Sequence, residues 1–153
     1  MLSQKTRYAL QALMLLADTE RTQKGPVLIS VLAKKGGIPQ KFLEAILLEL
    51  KNNGILQSQR GKGGGYSLAK SAEEIKVGAI VRILEGPLAQ LPCVSQTAYR
   101  KCNECVDEEA CGIKILFKEV RDATAVILDN TSLAKVQRIQ EAARQNRVPT
   151  YTI

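Results

Sequence analysis

Four cysteines stand in one short segment, Cys93, Cys102, Cys105 and Cys111, in the pattern C-x8-C-x2-C-x5-C. Thiolates are soft donors, and three or more on one loop can converge on a metal centre. An iron–sulfur cluster is the first reading of this pattern. Cys102-x2-Cys105 is also the spacing of a zinc knuckle or of a dithiol pair. A second stretch carries different chemistry. Arg60-Gly61-Lys62-Gly63-Gly64-Gly65-Tyr66 sets two cations among four glycines. The order of Gly and Lys fails the G-x-x-x-x-G-K-[ST] pattern, and Tyr66 stands where G-x-G-x-x-G needs its last glycine. A nucleotide-cradling loop is therefore not indicated. The chain has no histidine, so neither a Ser-His-Asp nor a Cys-His site can be built from it. The acidic run Asp107-Glu108-Glu109 reads as solvated loop. An enzyme is not expected.

The charge is segregated. Residues 1–70 hold 11 Lys and Arg against 4 Asp and Glu, a balance of +7, and residues 71–153 hold 11 of each. The whole excess lies on the half that contains the glycine-rich stretch. Such an excess on one unit is the footprint of a polyanion partner. No 18-residue apolar run is present, so no membrane span is expected. The first residues lack the basic, apolar and small-residue order of a signal peptide. The chain is expected to be cytoplasmic, where its thiols stay reduced or bind a ligand.

The elements that must position these groups can be read from periodicity. Ala9, Ala12, Leu13, Leu16 and Ala17 make one stripe of a helix over 2–19. Asp18 to Pro26 is polar and reads as a loop. A short helix over 29–36 carries Leu32 and Ala33 inward and ends at Gly36-Gly37. Ile38-Pro39 opens a third helix, with Pro39 near its first position. Leu43, Ile46, Leu47 and Leu50 form its buried stripe, and Gly54 is its left-handed cap. Residues 54–59 and 66–69 read as two strands of a hairpin, with Arg60 and Lys62 at the tip. A helix pair with a tight glycine-containing turn, followed by a basic hairpin, is the order of a winged helix-turn-helix.

A further helix is expected over about 77–85, with Ile80, Val81 and Leu84 inward and Gly86-Pro87 as its stop. Residues 88–111 lack apolar periodicity and hold every cysteine. A long helix follows over 112–129. Ile113, Leu116, Val120, Ala123 and Ile127 keep a/d heptad spacing along it, with Phe117, Val126 and Leu128 broadening the face. So apolar a helix needs a partner, from its own chain or across a two-fold axis. Leu133, Val136 and Ile139 indicate a last helix, with a tail lacking order from Asn146. The fold class is thus mostly α with a small β-hairpin wing: a winged helix-turn-helix plus a long C-terminal dimerisation helix. The units are expected at 1–86 for the DNA-binding domain, 87–111 for a cysteine sensor loop, 112–145 for dimerisation helices and 146–153 for the tail.

Several of these residues occur together in a known family. Ser3-x-Lys5-x-Arg7-Tyr8-Ala9-Leu10, Gly37-Ile38-Pro39 with Phe42-Leu43-Glu44, Arg60-Gly61-x-Gly63-Gly64-Gly65-Tyr66, and Val77-Gly78 with Leu84-Glu85-Gly86-Pro87 follow in order. With the cysteine segment before a long helix, the chain resembles the IscR/NsrR/CymR (Rrf-two) family of bacterial transcriptional regulators. The resemblance implies a homodimer that binds double-stranded DNA at a palindromic operator, acting as a repressor. It implies DNA contacts from Lys5, Arg7, Gln40, Lys41, Glu44, Arg60, Gly61, Lys62, Gly63 and Tyr66. Lys41 could reach phosphate or guanine, and Glu44 could accept from cytosine N4. Arg60 could enter the minor groove, while Lys5, Arg7 and Lys62 neutralise phosphates.

The resemblance also implies sensing, of redox state, iron or nitric oxide, through an iron–sulfur cluster of 2Fe-2S or 4Fe-4S type. In cluster-bearing relatives three cysteines bind and the last two are five residues apart. Cys105-x5-Cys111 reproduces that, Cys93 fits the first position at a longer spacing, and Cys102 is the candidate fourth ligand. Some relatives use a histidine where this chain has Lys114. The alternative is a cluster-free regulator that senses through zinc, redox thiols or a protein partner.

Overall fold

A computed structural model gives the fold, describing residues 2–22 and 24–146. The first helix, α1, spans Gln4–Arg21. Ser3 caps it: its Oγ accepts the Thr6 N–H at 3.2 Å, so the helix starts two residues later than the apolar stripe alone suggests. α2 spans Ile29–Gly36 and α3 spans Gln40–Asn52. The turn between them is Gly37-Ile38-Pro39. Gly37 is left-handed with φ of 60°, and Ile38 is buried and pins the turn to the core. Pro39 caps α3 from just outside the helix instead of occupying its first position.

The hairpin follows as β1, Leu56–Gln59, and β2, Gly65–Leu68. They pair antiparallel with Leu56 opposite Leu68 and Gln59 opposite Gly65. Both leucines are buried, which fixes the register by putting the apolar pair inward. The hairpin is also tied to the loop before α2. Val27 and Tyr66 exchange two backbone hydrogen bonds of 2.8 Å. Gly65 permits this approach: it has φ of 141°, and a Cβ there would lie 2.4 Å from the Val27 carbonyl.

α4 spans Val77–Glu85, a 3-10 turn spans Pro92–Val94, α5 spans Gly112–Asp129 and α6 spans Leu133–Gln145. One core joins α1, α2, α3, the hairpin and α4 around Leu13, Leu32, Leu43, Leu47, Leu50 and Ile80. Leu133 of α6 enters the same core, and Gln137 donates to Asp18 of α1 at 2.8 Å. The helix that the sequence groups with α5 thus packs on α1. α5 has no buried residue. Of the expected tail, only Asn146 lies within the described residues. Among those residues, no helix is long and apolar enough to cross a membrane.

Candidate functional site

α3 is anchored by Leu43, Ile46, Leu47 and Leu50, all buried. That leaves Gln40, Lys41 and Glu44 exposed on its first turns. Phe42 leans edge-on against Tyr8 of α1, ring centroids 5.8 Å apart. Lys5, expected to face phosphate, is half-buried and ion-paired with Glu49 of α3 at 2.5 Å. It braces α3 against α1, and its charge is paired there. Arg7 is exposed and donates to Gln4 Oε1.

The hairpin tip turns through a Gly64 N–H to Gly61 carbonyl bond of 3.0 Å. Arg60, Gly61, Lys62 and Gly63 are exposed there. Among the described residues neither Arg60 nor Lys62 has an acidic partner within salt-bridge distance. Tyr66 is placed differently. It is half-buried against the core, at the base of the hairpin where the backbone binds Val27.

All four cysteines line one open cavity of about 730 Å³. Cys93 sits in the 3-10 turn and Cys111 caps α5; Cys102 is exposed and the other three are half-buried. Burial, then a hydrogen bond with the Cys111 thiol, raise the Cys105 pKa above its ordinary value. As placed, no group of three or more cysteine and carboxylate side chains among the described residues is close enough to hold a metal ion. The donor chemistry still fits an iron–sulfur cluster: four thiols share one cavity on a segment with little regular structure, and no histidine competes.

The same cavity holds a group that the sequence conceals. Glu108 was expected to be solvated with Asp107 and Glu109. Those two are exposed, but Glu108 is half-buried and accepts from Tyr99 Oη at 2.5 Å and Lys114 Nζ at 2.8 Å. The Lys114 hydrogen bond, then that of Tyr99, hold its carboxyl below the ordinary range. Lys114 is raised in turn, chiefly by Glu108. Arg121 of α5 donates to the Val94 carbonyl and hooks the 3-10 turn beside Cys93 onto the helix. Sequence spacing gives no sign of either contact.

α5 presents the expected seam outward. Ile113 is 64% exposed, Leu116 55%, Val120 38% and Ile127 65%, with Ala123 exposed between them. Phe117 and Leu128 turn partly toward their own chain. The helix is held to α4 by a two-pronged ion pair, Arg82 Nη1 and Nη2 to Asp129 Oδ1 and Oδ2 at 2.6 and 2.9 Å. A third tie runs from α4 to α1, where Glu85 accepts the Ser3 N–H at 2.7 Å.

Comparison with known proteins places this arrangement. The family model described as "Rrf2: Iron-dependent Transcriptional regulator" matches residues 2–138. An rrf2-like HTH-type transcriptional regulator of Rhodobacter capsulatus is 43% identical over 134 residues, 87% of this chain and 89% of its own length. The HTH-type transcriptional regulator IscR of Erwinia tasmaniensis is 31% identical, over 95% of this chain and 86% of its own. Among solved structures, T. potens IscR has a TM-score of 0.71 at 31% identity, covering 94% of this chain and 90% of its own. CymR, the global cysteine regulator of B. subtilis, also has a TM-score of 0.71, at 29% identity, covering 89% and 95%.

Proposed function

The chain belongs to the Rrf2 family of transcriptional regulators, and from that premise we propose that it is a cytoplasmic homodimeric repressor. It binds a palindromic operator through residues 1–86 and senses through an iron–sulfur cluster on the loop 87–111. The observation that carries the reading is the cavity on which all four cysteines open, set directly against the start of an apolar helix without a buried residue. Cys105 and Cys111 are the first ligands, Cys93 the next, and Cys102 the fourth. When bound, the cluster supplies a redox- and ligand-sensitive centre. The chain's own residues do the rest. Lys114 and Glu108 set the charge of the cavity wall, and Arg121 fixes the turn that carries Cys93.

DNA binding rests on Gln40, Lys41 and Glu44 of α3 and on Arg60 and Lys62 of the wing, all exposed on the half of the chain with the cationic excess. Helix in the major groove and wing on the adjacent backbone or minor groove is the docking mode of such a unit. α5 pairs with its copy through Ile113, Leu116, Val120, Ala123 and Ile127, and two recognition helices then meet two half-sites. The lining of one cavity by both Cys105 and Cys111 supports a second reading, in which these two act as a cluster-free redox pair.

Anaerobic purification of the full chain separates the two. Visible absorbance with stoichiometric iron and sulfide is expected, lost in Cys105→Ser and Cys111→Ser and reduced in Cys102→Ser. Colourless protein without iron, whose DNA affinity changes on thiol oxidation, would establish the redox pair instead.

A further inference from the structure

α3 exposes an apolar row that its anchoring to the core does not use. Phe42 is 43% exposed and Leu48 52%, with Ala45 exposed between them. Steps of three residues make them successive neighbours on the helix surface. The row crosses the side opposite Leu43, Ile46, Leu47 and Leu50. By helical spacing Lys41 and Glu44 border it on one side and Glu49 and Asn52 on the other. Phe42 is braced by the edge contact with Tyr8, so its ring is pre-oriented.

A row one side chain wide and bounded by charge does not make the apolar core of a protein interface, which needs a broad contiguous patch. It suits isolated, methyl-sized targets in a polyanionic setting. The same half of the chain carries exposed cations: Lys41 beside the row on α3, Lys34 and Lys35 on α2, Arg60 and Lys62 on the wing. The major groove of DNA offers both features. Its phosphates answer the cations, and the C5-methyl of thymine is the one apolar group a base pair presents there.

We propose that Phe42, Ala45 and Leu48 read thymine methyl groups in the major groove and so dictate where each half-site carries thymine. This rests on the DNA-binding reading above and adds the residues that discriminate by apolar contact. Gln40, Lys41 and Glu44 supply the hydrogen bonds on the same helix. Phe42 in the first turn and Leu48 about 9 Å further along the axis touch different base pairs.

The test uses the full-length protein and a duplex that it selects from a randomised library. Each thymine of the half-site is replaced in turn by deoxyuridine, which pairs in the same way and lacks only the methyl. Affinity is read by fluorescence anisotropy at constant salt. At one or more thymines the replacement is expected to weaken binding about fourfold, as for one buried methylene. In Leu48→Ala, at an exposed position where folding is not at stake, the thymine duplex should bind less tightly and the penalty at one position should vanish. Phe42→Ala should abolish it at another. Selection of a tight duplex with no deoxyuridine penalty at any thymine overturns the proposal and leaves DNA binding standing. Failure to enrich any sequence removes the DNA-binding reading, and the proposal with it.

Discussion

Asp129 occupies the space that a side chain on Gly78 would need: a Cβ there would stand 1.9 Å from Asp129 Oδ1. The bare face of α4 lets the carboxylate at the end of α5 settle against it and grip Arg82 with both oxygens. Gly78→Ala should force Asp129 away and break that grip, but the helix propensity gained by alanine, about 1 kcal/mol, offsets the loss of a partly exposed ion pair. Its stability should therefore stay near the native value, while Asp129→Ala lowers stability by about 1 kcal/mol. Urea unfolding measures both. An unchanged midpoint in Asp129→Ala would mean that the pair holds nothing together.

Glu85 gives a pH signature. The hydroxyls of Ser3 and Thr6, then the Ser3 N–H, lower its carboxyl from the ordinary 4.5 to about 2. A pKa depressed in the fold means stability that is present above the unfolded value and lost as pH falls through the folded one. The native protein should therefore melt above Glu85→Gln near neutral pH, and the gap should close between 4.5 and about 2. A gap that stays constant through that window would assign the difference to packing.

The wing cations differ in role. Arg60→Ala should cost about 1–3 kcal/mol on a selected duplex and relax its preference where the wing lies, as loss of a base-edge contact does. Lys62→Ala should weaken all duplexes alike and reduce the salt slope by about one. Salt titrations of both variants on matched and scrambled duplexes decide this. Two identical slopes and affinities would remove the wing from the interface.

The seam of α5 is tested by charge. Val120→Glu sets a carboxylate in the middle of the face between Leu116 and Ala123. If two copies pair there, the burial costs several kcal/mol of association, on the order of 3–5 for an unpaired buried charge. Sedimentation should show the native chain as a dimer and the variant as a monomer. A native monomer at micromolar concentration would end the dimer proposal.

Much of this was legible in the sequence where local chemistry decides. The span 112–129 of α5 follows from its apolar repeat between Cys111 and Asn130. The buried stripe of α3 follows from period 3.6, as does that of α1. Boundaries moved where a cap intervened: Ser3 delays α1, and the chain is still turning at Gly54 and Ile55 before β1 begins. What stayed hidden depends on contacts between distant residues. Nothing in the order of residues joins Arg82 to Asp129, Lys5 to Glu49 or Arg121 to Val94. Leu48 is intermediate: its place outside the stripe of Leu43, Ile46, Leu47 and Leu50 already marks it as outward, but only its exposure shows that nothing covers it.

Cys111 is at once a wall of the thiol cavity and the residue from which α5 starts, its carbonyl accepting the Ile115 N–H at 3.1 Å. The cavity and the helix therefore share a residue, and a change in the position of Cys111 would act at the very start of α5. The 18 residues of α5 make an arm of about 27 Å, so a tilt of about 5° at Cys111 displaces the far end by about 2 Å. That far end is Asp129, gripped by Arg82 on a helix whose last residue, Glu85, holds the start of α1. Any tilt about Cys111 would therefore be felt first at the Arg82–Asp129 pair, and through α4 by the unit that carries α3.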